Sequence, residues 1–542
     1  MATFNSIMRK VVLNLILFIV LLPSVNASVF YVDPSNGGSD NNTGLAGSPW
    51  ATIQKAASTA MAGDTVYVAA GTYTEKVTFN HSGDENALIT FIGVGTVLAE
   101  EPVNTTVWSG TFIIKTKSYI RIQNFSIQNA YWFGIYVEAS DHIYLENNST
   151  YNTGASGISV WHSSYVYAAH NSVRKACYQS LTTGSQECIT FSGVSNFAIH
   201  HNEVYESGGS TNGGEGIDTK EDCSYGKVYS NHVHDLIRLG IYADSWDKTL
   251  HDIDIYNNRV YKCGDGIVLS SENGGTVTDV NVFNNITYNN KNFGIVISNF
   301  SDNDNDGFKK NINIKNNTIY NNGFGDDNTS WGGGIIIYST LVSNISIFNN
   351  IVSSNDAMQI SDKSGVASVN KNLIYGYKGL NWTNEVKGTN VVQADPLFVD
   401  ADGADNIAGN LDDNLNVTSA SPAINAGTNT NAPPFDFNNY KRPAESAVDM
   451  GAYEANSVLS NKPDLAAAEQ LIEVYPNPTD GDIHLKFIKH IDRIEVIDLA
   501  GAVVMSYAAP AEMLQLNTLN AGLYLLRAYA GSSCQTYKVI RY

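Results

Sequence analysis

Residues 215–220 carry the sequence Glu215-Gly216-Ile217-Asp218-Thr219-Lys220, and a similar motif returns as Leu239-Gly240-Ile241-Tyr242-Ala243. The same short apolar motif, preceded by Gly or Cys, recurs at six further places, which begin at Phe133, Ser156, Glu187, Asp265, Phe293 and Gly333. Between the copies lies a second pattern, Asn-x-Val/Ile/Thr-x, whose asparagines are Asn148, Asn171, Asn202, Asn231, Asn258, Asn285, Asn317, Asn350 and Asn372. Successive asparagines are 22 to 33 residues apart, and no helical period accompanies them.

These two patterns share one register, and together they predict a parallel β-helix. Each repeat holds only short strand-like stretches between Asn and Gly turns, as stacked coils require. The Ile and Val side chains would fill the interior. The asparagines would form a ladder, in which each side-chain amide bonds to the neighbouring turn and satisfies its buried backbone. An irregular β-sandwich is the alternative, and it requires both patterns to be coincidental. We predict an all-β chain with about ten coils.

The overall charge excludes one class of partner. The chain has 542 residues with 32 basic and 53 acidic side chains, for a net charge of -21. Such a surface repels nucleic acids and anionic membranes, so we expect no nucleic-acid partner. The five cysteines lack CxxC spacing and predict neither a zinc site nor a disulfide framework. Cys177 and Cys188 are equally compatible with a disulfide and with buried free thiols.

The first residues have the pattern of a signal peptide. Arg9 and Lys10 precede the apolar run 11–22, and small residues lead to an expected cleavage after Ala27. No later stretch holds 18 consecutive apolar residues, so we expect no membrane span in the mature protein. The predicted organisation is a signal peptide at 1–27, a parallel β-helix domain at 28–455, a linker at 456–468 and a C-terminal domain at 469–542.

The ends of the helical region carry further motifs. Tyr31-Val32-Asp33-Pro34 and Pro49-Trp50-Ala51-Thr52-Ile53 open it, and Ser421-Pro422-Ala423-Ile424-Asn425 and Asp449-Met450-Gly451-Ala452-Tyr453-Glu454 close it. With the repeats, they resemble the right-handed parallel β-helix proteins of the pectate-lyase-like superfamily. The resemblance implies a right-handed β-helix. It does not select an activity, because that superfamily includes lyases, hydrolases, epimerases and binding proteins.

The last segment differs from the repeats in kind. Val474-Tyr475-Pro476-Asn477-Pro478 opens it, and alternating apolar residues with Gly turns continue through Leu519-Asn520-Ala521-Gly522-Leu523 to Tyr542, which predicts a small β-sandwich. These motifs resemble the C-terminal sorting domain of the type IX secretion system of Bacteroidetes. The resemblance implies the type IX machinery as a partner, and a secreted protein located extracellularly or at the outer-membrane surface. We expect a monomer.

The outward side chains of the repeated strand indicate a binding groove. Between the coils of Glu138 and Asp244 they include carboxylates, a lysine and aromatic rings, a mixture suited to a polysaccharide because sugar faces pack on rings while hydroxyl groups need polar partners. An ordinary solvated face is the alternative. The expected substrate-binding residues are Glu138, Trp161, His162, Tyr242 and Trp246. His232 and His234 are expected near the groove or its turns, in a ligand-contacting or a structural role.

Two cleavage chemistries fit the cluster. Asp218 and Asp244 lie diagonally on adjacent coils, about 8 Å apart given ordinary strand spacings, which suits the two carboxylates of an inverting glycoside hydrolase. Lys220 and Asp244 stand in one column, where a salt bridge is the simplest expectation. In a lyase, by contrast, Lys220 would remove a proton from a uronate while Arg238 supports the developing charge.

The lyase hypothesis includes a calcium ion. Glu187, Glu215 and Asp218 would hold Ca²⁺ against the substrate acid, an arrangement that resembles the Lys, Arg and Ca²⁺-binding acids of β-helical alginate and chondroitin lyases. A second candidate calcium loop contains Asp302, Asp304 and Asp306 in DxDxDG spacing, with Asn313 at its twelfth position. We predict a Ca²⁺-assisted polysaccharide lyase, ahead of an inverting hydrolase and of a non-catalytic glycan-binding or adhesion protein.

Overall fold

The computed structural model describes most of the chain from residue 27 to residue 541. It leaves out residues 103–105, 179–186, 209–212, 299, 301–304, 325–331, 456–471 and several short breaks within 476–532. The proposed signal peptide up to residue 26, the linker 456–468, Asp302, Asp304 and Trp331 therefore lie outside the described residues. Two compact units are present, formed by residues 1–432 with 449–453 and by residues 433–448 with 454–542.

The first unit begins with a short capping region. It contains a 3₁₀ turn at Pro34–Asn36 and the short helix α1 (Ile53–Ala57), whose start is capped by the Thr52 hydroxyl. Its strands are β1 (Val29–Val32), β2 (Thr65–Thr74), β3 (Val77–Thr78), β4 (Ile89–Glu100), β5 (Gly110–Lys115), β6 (Ser118–Gln123) and β7 (Ser126–Gln128).

The repeated coils follow, and each regular coil contributes three strands in a fixed order. They are β8 (Phe133–Glu138), β9 (Asp141–Glu146), β10 (Ser149–Tyr151), β11 (Ile158–Trp161), β12 (Ser164–Ala169), β13 (Ser172–Arg174), β14 (Ile189–Ser192), β15 (Ser195–His200), β16 (Glu203–Tyr205), β17 (Ile217–Lys220), β18 (Ser224–Tyr229), β19 (His232–His234), β20 (Leu239–Ser245), β21 (Thr249–Tyr256), β22 (Arg259–Tyr261), β23 (Asp265–Ser271), β24 (Thr276–Phe283), β25 (Ile286–Tyr288), β26 (Phe293–Ile297), β27 (Phe308–Lys315), β28 (Thr318–Tyr320), β29 (Gly333–Ile337), β30 (Val342–Phe348), β31 (Ile351–Ser353), β32 (Met358–Asp362), β33 (Ser368–Asn370) and β34 (Leu373–Tyr375).

The coils stack in parallel and form three faces. Face 1 is the eleven-stranded sheet β3-β5-β8-β11-β14-β17-β20-β23-β26-β29-β32. Face 2 is the series from β6 and β9 to β33, and face 3 is the series from β7 and β10 to β34. These two faces are joined through β4 into one 23-stranded sheet. The prediction of an all-β parallel β-helix with about ten coils is confirmed.

The interior is filled by the apolar residues of the repeated motif. On face 1 one column of isoleucines is wholly buried and paired strand to strand, namely Ile135, Ile158, Ile189, Ile217, Ile241, Ile267, Ile295, Ile335 and Ile360. Glycine precedes seven of these nine isoleucines, and Cys188 and Gln359 precede the other two. At Gly216 the glycine has a steric cause, because a Cβ there would lie 2.4 Å from the carbonyl oxygen of Gly240.

The asparagine ladder between faces 2 and 3 is present as predicted. The backbone N–H of Asn231 donates to the Oδ1 atom of Asn258 at 3.0 Å, and the Asn231 side-chain amide donates to the same oxygen and to the carbonyl of Ile199. This pattern runs from Asn148 to Asn372. A second ladder, formed by Asn290, Asn322 and Asn355 and ended by Gln359, was not predicted.

Beyond the coils, a 3₁₀ turn at Asn381–Thr383 precedes a small antiparallel pair, β35 (Phe398–Asp400) and β36 (Asn414–Val417). The second unit carries two antiparallel sheets around an apolar core, as predicted for a small sandwich. Its strands are β37 (Ile472–Tyr475), β38 (Asp482–Phe487), β39 (Arg493–Ile497), β40 (Val503–Tyr507), β41 (Met513–Gln515), β42 (Gly522–Ala530) and β43 (Ser533–Arg541). Within the described residues, no helix has the length and apolar character needed to cross a membrane.

Candidate functional site

The candidate site lies on the outer side of face 1, on strands β14, β17 and β20. The register is the predicted one, with Asp218 paired to Thr190 on one side and to Tyr242 on the other. Lys220 follows two residues later, next to Ser192. Because alternate residues of a strand point to the same side, Asp218 and Lys220 share the outer face of β17 while Ile217 and Thr219 face the interior.

Lys220 is the central cation of the site, and its contacts correct one prediction. Its Nζ atom lies 2.7 Å from Oε1 of Glu187 and 3.8 Å from Oδ2 of Asp218, with 15% of the side chain exposed. Glu187 is fixed in turn, since its other oxygen accepts a hydrogen bond from the Thr190 hydroxyl at 2.8 Å. The predicted Lys220–Asp244 salt bridge is wrong, because Glu187 reaches across from the neighbouring coil and takes the ammonium group.

A second ion pair borders the first. Arg238 lies just before β20, and its Nε atom is 2.5 Å from Oε1 of Glu215, whose side chain is only 4% exposed. The side chain of Arg238 is 38% exposed, so it forms part of the rim of the cluster. Lys220 and Arg238 thus neutralise two of the four carboxylates Glu187, Glu215, Asp218 and Asp244.

Three buried carboxylate oxygens in this cluster have no hydrogen-bond partner among the described residues, namely Oε2 of Glu215, Oδ1 of Asp218 and Oδ1 of Asp244. Burial raises the pKa of Asp218, and the charge of Glu187 raises it further. Burial and the charge of Glu272 likewise raise the pKa of Asp244. A raised pKa lets a carboxyl group hold its proton to a higher pH than an exposed carboxyl group does, which is a property that a general acid requires.

The same surroundings favour the charged form of Lys220. Burial alone would lower the pKa of Lys220, but the charges of Glu187 and Asp218 raise it above its ordinary value. The ammonium group therefore keeps its proton and serves as a fixed positive charge. This environment is unsuitable for a lysine that acts as a general base.

Two of the predicted sugar-binding residues already have partners within the protein, and one of them, Tyr242, is buried. Tyr242 is 5% exposed and packs among Leu239, Val268 and other apolar residues, while its hydroxyl donates to Glu272. Glu138 pairs with Lys115, with 2.8 Å between the charged atoms. Sequence alternation placed these side chains on the outer side, but it did not show that their neighbours cover them.

The half-buried rim of the site is aromatic. Trp161 donates its indole N–H to the Ser159 hydroxyl at 2.8 Å, and the Lys220 Nζ atom lies 5.9 Å from the centre of its ring. Trp108, which is 46% exposed, makes an edge contact with Trp161 at 5.2 Å between ring centroids. His162 is exposed beside Trp161, and Trp246 is half-buried after β20. Trp108 was missed because it precedes its strand and has no place in the repeated motif.

Most carboxylates of the two predicted calcium sites that the structure describes already have partners within the protein. Carboxylate oxygens suit Ca²⁺, but Glu187 and Glu215 are each held by a side-chain cation. Arranged in this way, Glu187, Glu215 and Asp218 do not fit a calcium ion. In the second acidic loop, Asp306 pairs with the buried Lys309 and accepts a hydrogen bond from Ser339 at 2.6 Å. With Asp302 and Asp304 outside the described residues, calcium binding at that loop stays a prediction.

Other candidate residues lie away from this face. His232 and His234 are on β19 of face 3. Cys177, Cys188, Cys223 and Cys263 are buried, and none of these four forms a disulfide.

Three segments of the chain match models of known protein families. Residues 110–252 match the right handed beta helix region, and residues 473–541 match the secretion system C-terminal sorting domain. Residues 36–81 match a family described as a protein of unknown function, DUF1565. The chain is a right-handed β-helix protein with a type IX sorting domain, and this domain indicates export, either into the medium or to the cell surface.

Three individual proteins that resemble this chain are at most 30% identical to it over the matched residues. The uncharacterized protein YwoF of Bacillus subtilis (strain 168) is 30% identical over 305 residues, which cover 50% of this chain and 64% of that protein. This chain therefore matches slightly less than two thirds of that relative's length. Among solved structures, pectate lyase Pel9A is 15% identical with a TM-score of 0.48, covering 79% of this chain and 96% of its own. The complex of XylC with xylose is 12% identical with a TM-score of 0.46, covering 79% and 98%.

The cluster predicts a pH-dependent stability. Burial and the charge of Glu187 raise the pKa of Glu215 to about 7, against an ordinary value of 4.5. Between these values the folded chain binds more protons than the unfolded chain, so this carboxyl makes stability fall as the pH rises from about 4.5 to 7. Glu215 should therefore account for about 3 kcal/mol of the unfolding free energy that the wild type loses as the pH rises. We expect Glu215→Gln to lack this loss, as measured by urea unfolding at pH 5 and pH 8.

The matched control for this prediction is Glu206→Gln. Glu206 is an exposed carboxylate that also pairs with an arginine, Arg174, at 2.8 Å. Its replacement should change stability by less than about 1 kcal/mol at either pH. Equal pH dependence in the wild type and Glu215→Gln would contradict the assignment.

Proposed function

We propose that the protein is an exported enzyme that hydrolyses glycosidic bonds of a polysaccharide at the Asp218–Lys220–Asp244 cluster. The observation that carries this proposal is the set of buried carboxylates with raised pKa values and unpartnered oxygens. A general acid must hold its proton until the leaving oxygen needs it, and burial among like charges favours the protonated form of a carboxyl group.

The roles follow from charge and position. Burial raises the pKa of Asp218, and the charge of Asp244 contributes to this rise. Asp218 would therefore hold the proton and give it to the leaving oxygen, while Asp244, as the ionised partner, would accept a proton from the attacking water. The two residues lie diagonally on adjacent strands, about 8 Å apart by ordinary strand spacings, which leaves room for that water. Inversion at the anomeric carbon is the expected stereochemical outcome. Lys220 would hold Glu187 ionised, Arg238 would pair with Glu215, and the substrate would approach over the half-exposed side chains of Trp161 and Arg238.

Charge supports a neutral polysaccharide as substrate. The chain carries a net charge of -21, and the cluster itself has four carboxylates against two cations. A polyuronate would be repelled by this field unless cations screened it. The lyase predicted from the sequence is the second candidate, favoured by the pair of cations Lys220 and Arg238, although Glu187, Glu215 and Asp218 do not fit the calcium ion predicted with it. A non-catalytic glycan-binding protein is the third.

A screen against neutral and uronic polysaccharides separates the three candidates. New reducing ends without absorbance from unsaturated sugars would support hydrolysis, and proton NMR of the first products should show inversion. Unsaturated ends would instead support the lyase. Binding without either product would support a glycan-binding protein and overturn the proposal. The screen should be run with calcium and with a chelator, because hydrolysis at this cluster is expected to be insensitive to calcium.

A further inference from the structure

Face 3 carries a cluster of imidazole and carboxylate groups, separate from the candidate active site. His232 and His234 both lie on β19, and Val233 between them faces the interior. The two imidazoles therefore leave the strand on the same side. Glu203 on β16 is the register partner of His232 in the adjacent coil. The fold thus brings a His-x-His pair and a cross-strand glutamate together.

The ligand atoms of these three residues converge. Oε1 of Glu203 lies 3.6 Å from Nδ1 of His232 and 3.6 Å from Nε2 of His234. One ligand atom from each of the three residues lies within 4.8 Å of the other two. In a tetrahedral zinc site with bonds of about 2.0–2.1 Å, neighbouring ligand atoms are about 3.3 Å apart. The observed separations are therefore close to those of a metal site, and small side-chain movements would complete it.

The other ring nitrogens of the two histidines are already occupied. Nδ1 of His234 lies 2.7 Å from the carboxylate of Asp235, and Nε2 of His232 lies 2.9 Å from the Tyr261 hydroxyl. If Nδ1 of His234 donates to Asp235, Nε2 keeps its lone pair and faces Glu203. That buried Nε2 atom makes no hydrogen bond to any of the described residues. Histidines that bind metal ions usually donate their other ring N–H to a carboxylate or a similar acceptor, as His234 would do to Asp235.

Ring packing fixes the orientation of the pair. The His232 and His234 rings stack with 4.3 Å between centroids, and Tyr205 and Tyr261 lie at 5.1 and 5.2 Å from His234. The site is thus preorganised by its neighbours, which reduces the cost of binding an ion. Glu203 and Asp235 supply two negative charges, and the cation next in the column, Arg259, hydrogen-bonds to Tyr288.

We propose that Glu203, His232 and His234 bind one divalent transition-metal ion of the zinc class, with the fourth position open to water or a ligand. Two imidazoles and one carboxylate are a donor set that zinc accepts and that calcium, which prefers oxygen, does not. A second trio, His170, His200 and His201, has ligand atoms within the same distance. There, Nδ1 of His200 contacts Nδ1 of His201 at 2.9 Å, so two of its nitrogens are directed at each other.

The test measures metal binding and does not depend on enzyme activity. Chelator-treated protein is titrated with Zn²⁺ by calorimetry and with Co²⁺ by visible absorption, where a tetrahedral site gives an intense band. We expect one tight equivalent. Combined replacement of the two histidine ligands, His232→Ala with His234→Ala, should abolish this binding, and Glu203→Gln should weaken it. Asp235→Asn, which alters only the supporting carboxylate, should weaken binding about 10–100-fold.

Two controls keep the proposal falsifiable. His251→Ala removes a histidine that also pairs with a carboxylate, Asp252 at 2.7 Å, but that stands outside both groups, so binding should be unchanged. Replacing His200 and His201 by alanine should leave the tight equivalent in place. Far-UV circular dichroism checks that each variant is folded. The proposal is overturned if folded wild-type protein binds no stoichiometric Zn²⁺ or Co²⁺, or if the tight equivalent survives His232→Ala/His234→Ala or is lost with His200 and His201.

Discussion

Asp218→Asn is expected to lower the rate of polysaccharide cleavage by about 10²–10⁴-fold, and Asp244→Asn is expected to do the same. The amide cannot supply or accept the proton that the reaction transfers, yet it matches the carboxyl group in size. Both positions are buried, with 1% and 6% of the residue exposed. Initial rates on the substrate identified by the screen give the measurement, with the unfolding midpoint recorded for each variant.

Two further variants make this result specific. Asp279→Asn, on the exposed side of face 2, is the same chemical change away from the site and should keep the wild-type rate. Lys220→Arg keeps the positive charge beside Glu187 but cannot act as a base. Hydrolysis predicts that much of the rate survives in Lys220→Arg, whereas a lyase with Lys220 as base predicts its loss. Near-normal activity of both Asp218→Asn and Asp244→Asn would show that the active site lies outside this cluster.

Asn258→Ala is expected to lower the free energy of unfolding by about 2–6 kcal/mol. The Asn258 side-chain amide donates to the carbonyl of Val228 at 2.9 Å, and its Oδ1 atom accepts the backbone N–H of Asn231 at 3.0 Å. Alanine leaves that carbonyl and that N–H buried without partners, and each costs about 1–3 kcal/mol. Urea unfolding followed by circular dichroism measures the difference.

Asn313→Ala is the matched control. Asn313 is also one of a column of asparagines, but it lies half-exposed on the outer side of β27, where its amide donates to Asn281 at 3.1 Å. Water replaces the lost partner there, so less than about 1 kcal/mol is expected. Similar losses for Asn258→Ala and Asn313→Ala would mean that the internal ladder contributes no more than an ordinary surface contact.

The fold was predictable because its two signals are local and repeated. The residue before Ile217 is glycine for steric reasons, and Asn231 is asparagine because its side chain bonds to the ladder asparagines of both neighbouring coils. Both features recur in most coils and so become visible in the sequence. The second ladder, from Asn290 to Asn355, was missed because it spans too few coils to produce a pattern.

The site was predictable only in its outline. Strand alternation placed Asp218, Lys220 and Asp244 together, but it does not determine which acid an ammonium group reaches. Lys220 pairs with Glu187, which lies before its strand rather than on it, so the outward columns gave no indication of the contact. Burial was missed for a related reason. Tyr242 is covered by apolar residues from later coils, such as Val268, whose contact with the ring depends on side-chain packing rather than on register.

The asparagine ladder also has a consequence for how this architecture can change in length. Ladder partners are separated by as few as 22 and as many as 33 residues, while the hydrogen bonds between them stay at 2.8–3.0 Å from backbone N–H to Oδ1. The variation is therefore absorbed by the segments that connect the strands. One described residue at the end of such a segment, Glu187 just before β14, contacts Lys220 in the candidate site. Insertions and deletions in these segments would change which ligands the cluster can accommodate. They would leave the hydrogen bonds of the ladder intact, so substrate specificity can change while the fold stays the same.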